Sequence, residues 1–304
     1  MVGIVLLIYN QWDITIDCIK TIRDSCELPY KIYLVDNNST EKETKKFLDF
    51  YYQSDDIVLI RQNQNRGYSA GNNVGIKAAL DDKCDFVLIS NNDVLFKKSC
   101  IDNMCDFLSG NHEYGIVGPK VLTKNGDLQE LNMCCKMTLK GKYQYIFRKT
   151  PLRFLSKKFV DKFNRSESRV NGSFDVFAVS GCCFMMSKEA VHMLYPFDEN
   201  TFLYEEENII GIRMERLGLK TLYNVNCEVI HIGGKSTNGL TSFGYACFVE
   251  SEIYYCRKYL KASRFKIIPL YLFRSFAYIG YYRLQGIYDY FLRTFRMLIK
   301  KISI

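Results

Sequence analysis

The sequence predicts an α/β protein with an open, mostly parallel sheet flanked by helices and followed by a C-terminal helical extension. Short apolar runs alternate with segments of helical spacing through the first half of the chain. The runs are continuously apolar, as expected of strands that are covered on both faces. Polar clusters follow three of them, and open parallel sheets bind ligands beyond the carboxyl ends of their strands.

The individual elements follow from these runs. The residues Ile14, Cys18 and Ile22 recur at helical spacing after the first run. Alternation of strands and helices favours parallel pairing through right-handed crossovers. The predicted strands are 3–8, 31–35, 57–60 and 86–89, and two further helices are predicted at 41–51 and 72–80.

Charge divides the chain into an acidic body and two basic segments. The net charge of +8 is unevenly distributed. Residues 136–170 hold eleven Lys or Arg and two acidic residues, and residues 261–304 hold nine Lys or Arg and one acidic residue. We therefore expect a main domain at 1–240 with a basic insertion at 136–170, and a helical, basic and aromatic extension at 241–304. Such segments favour contact with an anionic partner. No nucleic-acid motif is present, so an anionic membrane surface is the preferred partner.

The extension lacks a run long enough to span a bilayer, since its longest uncharged run has eight residues. Leu292, Phe295, Ile299 and Ile302 fall on one helical face, the pattern of an interfacial amphipathic helix. The alternative is a helix docked on the body or on a second copy of the chain in a homo-oligomer. The twelve cysteines show no C-x-x-C spacing, and residues 1–9 predict a strand rather than a secretory signal. We expect reduced, buried thiols in a cytoplasmic protein.

Three polar groups are candidates for chemistry. Asp36 follows a buried strand, where it could bind a base or ribose, although Asp also favours turns. Asp93, in Asn91-Asn92-Asp93, offers a hard oxygen ligand to a divalent cation beside a diphosphate. His231 follows another strand-like run; a lone histidine is more often structural.

The acidic run 205–207 is a fourth candidate. Acids next to an apolar, aromatic segment can act as a general base with a raised pKa. Acids at a helix N-terminus are also common for electrostatic reasons alone. Both interpretations remain open for Glu206 and Glu207 on this evidence.

Together, these motifs resemble glycosyltransferase family 2, and most closely its rhamnosyltransferase-like branch of bacterial surface polysaccharide synthesis. The resemblance covers about residues 2–236. It rests on eight motifs in order: I-Y-N (8–10), V-D-N-N-S (35–39), N-R-G-Y-S-A-G-N-N-x-G (65–75), S-N-N-D-V (90–94), G-I-V-G-P-K (115–120), V-S-G-C-C-F-M-M (179–186), F-D-E-x-x-F-L-Y-x-E-E (197–207) and H-x-G-G-K-S (231–236).

The resemblance implies the A-type glycosyltransferase fold and an inverting transfer dependent on Mg2+ or Mn2+. It implies a catalytic base in the Glu206–Glu207 pair and a metal held by Asp93 and His231. Residues that would contact the nucleotide sugar are Tyr9, Asn10, Asp36, Asn38, Arg66, Gly67, Asn72, Asn91 and Asn92.

One departure concerns the base motif. The family usually carries Glu-Asp-x-Asp-Leu, whereas this chain has Glu206-Glu207-Asn208-Ile209-Ile210. A Glu reaches one methylene further than an Asp, so either Glu206 or Glu207 fits as the base. Ile209 has no carboxylate, which favours the alternative of an inactive protein that binds sugar nucleotides.

The expected donor is dTDP-rhamnose or a UDP-sugar. The expected acceptor is a lipid-linked saccharide or growing polysaccharide at the inner face of the cell membrane. A dinucleotide-dependent oxidoreductase is disfavoured, because the first turn reads Tyr-Asn-Gln-Trp instead of G-x-G-x-x-G.

Overall fold

The computed structural model describes residues 1–129, 133–147, 153–164, 172–233, 241–300 and 302. The strands are β1 Val2–Ile8, β2 Tyr30–Asp36, β3 Ile57–Arg61, β4 Phe86–Asn91, β5 Val94–Phe96, β6 Tyr114–Thr123, β7 Phe174–Val176, β8 Cys183–Ser187 and β9 Lys220–His231. The helices are α1 Trp12–Ser25, α2 Lys45–Tyr52, α3 Tyr68–Asp81, α4 Cys100–Gly110, α5 Leu139–Ile146, α6 Lys157–Asn164, α7 Lys188–Leu194, α8 Glu206–Leu217, α9 Ser242–Lys258, α10 Arg264–Tyr282 and α11 Ile287–Ile299.

One mixed sheet forms the centre of the protein, in the order β3-β2-β1-β4-β8-β6-β9-β5, with β7 also paired to β9. Strands β1 to β4 are parallel, as their separation by crossover helices requires. Strand β8 runs antiparallel to both β4 and β6. The predicted open, mostly parallel sheet is confirmed.

The predicted elements of the first half are confirmed, with shifted helix starts. Helix α2 begins at Lys45 rather than residue 41, because the Thr44 hydroxyl caps it by accepting from the Phe47 N–H at 3.1 Å. Helix α3 begins at Tyr68, four residues earlier than predicted, directly after Gly67. The segment 136–170, predicted without a helical period, contains α5 and α6.

Successive side chains of β1 point to opposite faces of the sheet, where they enter two separate hydrophobic cores. Ile4 lies in the first core and Val5 in the second. A third core joins α8 to the C-terminal helices: Ile209 and Ile212 pack there with residues such as Val249 and Tyr255 of α9. Helices α9 to α11 therefore bury part of the main domain. This shared core argues against a body that folds stably without them.

Helix α11 is amphipathic as predicted, and its two faces differ in burial. Thr294 and Met297 dock on the third core, whereas Leu292, Phe295 and Ile299 are exposed. None of the helices in the described ranges is both long and apolar enough to cross a membrane. All twelve cysteines are free thiols, ten of them buried.

Candidate active site

Asn10 ties the loop after β1 to the loop after β2. Its side-chain oxygen accepts from the backbone N–H groups of Thr40 at 2.9 Å and Glu41 at 3.0 Å. Asp36, at the end of β2, accepts from the Ser39 N–H at 2.8 Å. Asn10 and Asp36 thus hold the geometry of these loops, as short polar side chains do in turns.

An open cleft of about 670 Å3 lies between these loops and the C-terminal helices. Its volume and largely apolar walls suit a small organic ligand. Tyr9, 47% exposed, lines it, whereas exposed Asn38 lies outside the lining. The lining residues are Leu7, Tyr9, Asn37, Asn65, Gly67, Tyr68, Phe202, Leu203, Tyr204, Thr241, Phe243 and Gly244.

Asn37 is a cleft residue that the motif analysis did not single out. Its amide nitrogen donates to Asn65 Oδ1 at 2.9 Å and to the Gly67 carbonyl at 3.2 Å. Its amide oxygen is buried and makes no hydrogen bond within the described structure. A buried acceptor without a donor is costly, so this oxygen is suited to a ligand N–H or O–H.

Gly67 brings the loop before α3 against the segment before α8. Its φ is +89°, and a Cβ there would lie 2.1 Å from the Phe202 carbonyl oxygen. That same oxygen accepts from the Tyr68 N–H at 2.9 Å. Only glycine fits this close approach.

Arg66 and Asn72 do not line the cleft. Arg66 forms an ion pair with Glu199 at the protein surface. Asn72 is fully buried in α3, where its amide donates to the Tyr68 carbonyl at 3.0 Å. Its amide oxygen makes no hydrogen bond among the described residues.

Antiparallel pairing of β5 with β9 brings Asp93 and His231 together, because Val94 lies opposite His231. His231 Nε2 lies 3.2 Å from Asp93 Oδ1, and both side chains are largely buried. Asn91 lies half-buried at the end of β4. Asn92 points elsewhere, since its amide donates to Thr15 Oγ1 at 3.0 Å.

The Asp93–His231 pair fits a divalent cation. A carboxylate oxygen and an imidazole nitrogen 3.2 Å apart match adjacent ligands of an ion that binds at about 2.1 Å. Within the described ranges no third His, Cys, Asp or Glu completes a cluster. Diphosphate oxygens and water would supply the remaining ligands. Residues 234–236 of the His231 motif lie outside the described residues.

Gln129 is a second residue that the sequence did not reveal. Its side-chain oxygen lies 3.1 Å from His231 Nδ1. Since a carbonyl oxygen only accepts, Nδ1 donates in this hydrogen bond. An outer hydrogen bond of this kind orients metal-binding histidines.

Glu206 and Glu207 begin α8 as a pair of poorly solvated carboxyls. Burial raises the pKa of Glu206 well above its usual value, and the neighbouring Glu207 adds to this effect. Burial also raises the pKa of Glu207, whose Oε1 accepts from the Gly181 N–H at 3.2 Å. Glu207 is half-buried and Glu206 is buried, with its Oε2 lacking a hydrogen bond among the described residues.

The segment around Gly181 and Cys182 joins the two halves of the site. Cys182 accepts from the Asn91 N–H through its carbonyl at 2.9 Å, while Gly181 contacts Glu207. Burial, followed by Asp93 and Glu207, raises the pKa of the Cys182 thiol to about 12. Gly181 and Cys182 are neighbours in the chain, so one short segment contacts both Glu207 and Asn91, two residues before Asp93.

Four buried charges lie behind the candidate base. Lys142 of α5 forms an ion pair with Glu205 and lies 3.6 Å from Glu252 of α9. Arg274 of α10 holds Glu252 through two hydrogen bonds of 2.8 and 2.9 Å. The insertion and the extension thereby both support the turn at Glu205, where φ is +69°.

Ile209 has a structural explanation. It is 2% exposed and packs in the third core against the C-terminal helices. A carboxylate at this position would be buried without a partner in that core. The apolar residue therefore suits the packing of this chain and does not argue for an inactive site.

Two solved structures share this fold. GalNAc-T7, in a crystal structure with UDP, GalNAc and Mn2+, matches with a TM-score of 0.63 at 14% identity, over 95% of this chain and 58% of that one. The Pyrobaculum calidifontis mannosyltransferase PcManGT, in complex with GDP-Man and Mn2+, matches with a TM-score of 0.56 at 12% identity, over 99% and 76%. The fold is the A-type glycosyltransferase fold.

Residues 3–194 match the family model described as Glycosyl transferase family 2, and the chain belongs to this family of glycosyltransferases. A Mycobacterium tuberculosis protein named N-acetylglucosaminyl-diphospho-decaprenol L-rhamnosyltransferase is 24% identical over 220 residues, which are 69% of each chain. The predicted family, its rhamnosyltransferase-like relatives and the enzyme class are confirmed.

Proposed function

We propose that this glycosyltransferase transfers a sugar, with inversion, from a nucleoside diphosphate to a lipid-linked saccharide or growing polysaccharide, with Mg2+ or Mn2+ as cofactor. The observation that carries the proposal is that the segment Gly181–Cys182 contacts both Glu207 and Asn91, two residues before Asp93, which lies 3.2 Å from His231. The Asp93–His231 pair is suited to hold a cation beside the departing diphosphate, and the Glu206–Glu207 pair is suited to take the proton of the attacking hydroxyl.

The nucleoside half of the donor is assigned to the cleft beside Tyr9 and Asn37. Tyr9 offers an exposed aromatic face on which a base can stack. Asn37 offers its unbonded amide oxygen to a donor N–H or O–H. Asn10 and Asp36 act by fixing the loops that shape this end of the cleft.

Asp93 Oδ1 and His231 Nε2 would hold the cation. When bound, the cation neutralises the charge that develops on the departing diphosphate. Gln129 keeps the imidazole in the tautomer that leaves Nε2 free.

Glu207 is the preferred base within the pair. It is the more exposed of the two, and the Gly181 N–H stabilises its ionised form. Burial and the neighbouring Glu207 raise the pKa of Glu206 more strongly, which favours its protonated form. Glu207 would take the proton of the acceptor hydroxyl as that oxygen attacks the anomeric carbon in line, and the carbon–diphosphate bond breaks on the opposite side.

The donor and acceptor are proposed from relatives. The mycobacterial relative is named for L-rhamnosyl transfer to a diphospho-decaprenol substrate. dTDP-rhamnose, or else a UDP-sugar, is the proposed donor here, and a polyprenyl-linked saccharide the proposed acceptor. An acceptor anchored in lipid requires the enzyme at the membrane surface, at the inner face where nucleotide sugars are made.

The C-terminal helices carry a surface suited to that location. We name it the outer face, and it consists of exposed apolar side chains on α10 and α11. Exposed Arg264, Lys266, Arg283, Arg296 and Lys300 flank it. Apolar side chains bordered by cations are typical of helices that lie on anionic membranes. The outer face comprises Phe265, Leu272, Phe273, Phe276, Ile279, Leu292, Phe295 and Ile299.

The test is a transfer assay with the purified full chain, a panel of sugar nucleotides and a polyprenyl-diphosphate saccharide. We expect nucleoside diphosphate release to depend on the acceptor and on Mg2+ or Mn2+, and to favour dTDP-rhamnose or one UDP-sugar. Glu207→Gln serves as the inactive control. Donor binding without turnover for every acceptor would instead support a sugar-nucleotide-binding protein.

A further inference from the structure

A second open pocket, of about 480 Å3, lies outside the cleft and shares no residue with it. Arg213 and Arg216 of α8 and Lys258 of α9 line it, together with Tyr259 and Lys261. Arg213 and Arg216 lie seven and ten residues beyond Glu206, or about 10 to 15 Å along the helix. The pocket is therefore separate from the catalytic end of α8.

Four of the five lining residues are cationic, and one of these four forms an ion pair with a carboxylate. Asp198 accepts from Lys258 at 3.2 Å and from the hydroxyls of Tyr254 at 2.7 Å and Tyr259 at 2.5 Å. It also accepts from the backbone N–H and the side-chain amide of Asn200 at 3.0 and 2.7 Å. Burial raises the pKa of Asp198, but hydrogen bonds from Tyr259, Asn200 and Tyr254 outweigh it and lower that pKa to about 2. Asp198 is thus already bound by five donors.

The other three cations have no carboxylate within ion-pair distance in the described part of the chain. Arg213 donates to the carbonyls of Met193 and Pro196, and burial lowers its pKa. Arg216 lies over the Tyr259 ring at 5.9 Å. Lys261 is exposed in the turn between α9 and α10, at a φ of +52°.

Helix ends account for part of this charge, since cations near the C-termini of α8 and α9 complement the helix dipoles. The helix dipoles do not explain why these cations line a cavity. They also do not explain Lys261, which lies beyond the end of α9. A half-buried guanidinium that faces open space beside two further cations is the arrangement that binds oxyanions.

We propose that this pocket is a binding site for a phosphate group, held by Arg213, Arg216 and Lys261. The guanidinium groups supply directed N–H donors, and Lys261 supplies a mobile charge. The site lies next to the turn that leads into Arg264 and Phe265 of the outer face. A lipid headgroup is therefore one source of the phosphate, and a free phosphate or soluble phosphomonoester is the other.

The experiment measures binding to the full chain by isothermal titration at constant ionic strength, without donor, acceptor or metal. The probes are inorganic phosphate and monomeric dihexanoyl phosphatidic acid. The test variant is Arg216→Gln/Lys261→Gln, because both side chains are exposed and their loss should not unfold the protein. The control is Lys97→Gln/Lys98→Gln, which removes the same charge from another exposed site. Thermal melting checks that all variants remain folded.

We expect the test variant to weaken binding at least about tenfold, the loss of one charge-assisted hydrogen bond, with the control unchanged. If the parent binds inorganic phosphate and the test variant binds it at least about tenfold more weakly, the source is a soluble phosphate. Binding of dihexanoyl phosphatidic acid alone, with the same loss, indicates a lipid headgroup. Binding of neither probe, or equal binding by parent and test variant, overturns the proposal. None of these outcomes depends on transferase activity.

Discussion

Lys142 of α5 forms a buried ion pair with Glu205, the residue directly before the Glu206–Glu207 pair. Burial alone would lower the pKa of Lys142, but Glu205 and Glu252 outweigh it and raise that pKa. The basic insertion therefore supplies a positive charge that stabilises the turn before the Glu206–Glu207 pair. This contact gives the insertion a role inside the enzyme in addition to any role at its surface.

Replacement of Lys142 by Met should strongly destabilise the protein. It leaves Glu205 as a buried carboxylate without its cation, and breaking such a pair from one side typically costs about 3–5 kcal/mol. Chemical denaturation would measure the free energy of unfolding. The double variant Lys142→Met/Glu205→Gln removes both charges and should recover part of the loss. A double variant no more stable than the single one would contradict a direct pairing.

If Asp93 and His231 hold the metal, activity should depend on metal, and loss of Asp93 should have a larger effect than loss of His231. Asp93→Ala should abolish transfer, and His231→Ala should reduce it strongly or change the preferred metal. EDTA should inactivate the parent, and added Mn2+ or Mg2+ should restore it. Full activity in EDTA would exclude a metal role for this pair.

Gln129 allows a finer test of the same centre. Gln129→Leu removes the acceptor that holds the His231 Nδ1 proton, and loss of such a contact typically lowers metal affinity about 10–100-fold. We expect the Mn2+ concentration for half-maximal activity to rise by that factor, with the maximal rate largely retained at saturating Mn2+. An unchanged Mn2+ titration would show that Gln129 does not orient the ligand.

The two glutamates of the site should differ in their effect on catalysis. Glu207→Gln keeps size and hydrogen bonding but removes the base, so kcat should fall about 10²-fold or more while donor affinity is kept. Glu206→Gln should retain most of the activity, because Glu206 is buried and its raised pKa favours the neutral form that Gln resembles. Since the raised pKa of Glu207 must be exceeded for activity, the rate should increase with pH through that pKa. The reverse ranking of the two variants would make Glu206 the base.

Glu206 also predicts a pH-dependent stability. Its pKa in the folded protein is raised above 4.5, so the folded state holds the proton more tightly than the unfolded state. Stability attributable to Glu206 is therefore fully present below about pH 4.5 and is lost as the pH rises toward the raised pKa. Glu206→Gln should melt at a higher temperature than the parent near neutral pH, and this advantage should vanish near pH 4. Equal shifts at both pH values would indicate a packing effect instead.

The parallel half of the sheet was predictable because each strand carries its own signal, a continuous apolar run such as 3–8 or 86–89. The Asp93–His231 pair was predictable because both residues follow strands and belong to recognised motifs. The resemblance implied that the two residues are close, and the structure adds the pairing of β5 with β9 that brings them within 3.2 Å.

Other features depend on tertiary contacts that leave no local pattern. Helix α5 carries Gly141 and a buried Lys142, and the latter is stabilised by two carboxylates from distant elements. Gln129 contacts His231 across 102 positions of sequence. Ile209, a departure from the family motif, is explained only by the core that the C-terminal helices complete.

The last prediction concerns the outer face of α10 and α11 and membrane binding. Phe265 is 84% exposed and Phe276 is 73% exposed, a large apolar area to leave in water. Full burial of each such side chain would contribute about 1.5–3 kcal/mol, and insertion at a membrane surface gives part of that free energy. For the two side chains together this corresponds to roughly tenfold tighter binding. Phe265→Ser/Phe276→Ser should therefore float with anionic vesicles at least about tenfold less than the parent.

The control is Tyr52→Ser, which removes an aromatic side chain that is 78% exposed on α2, away from the C-terminal helices. It should float like the parent. Flotation of the parent should also weaken at 1 M salt, where the Debye length is about 3 Å, because each flanking Lys or Arg contributes about 1 kcal/mol through the surface potential. Equal flotation of parent and Phe265→Ser/Phe276→Ser would contradict the membrane assignment. A shift from dimer to monomer in that variant, seen by light scattering, would instead assign the outer face to contact with a second copy of the chain.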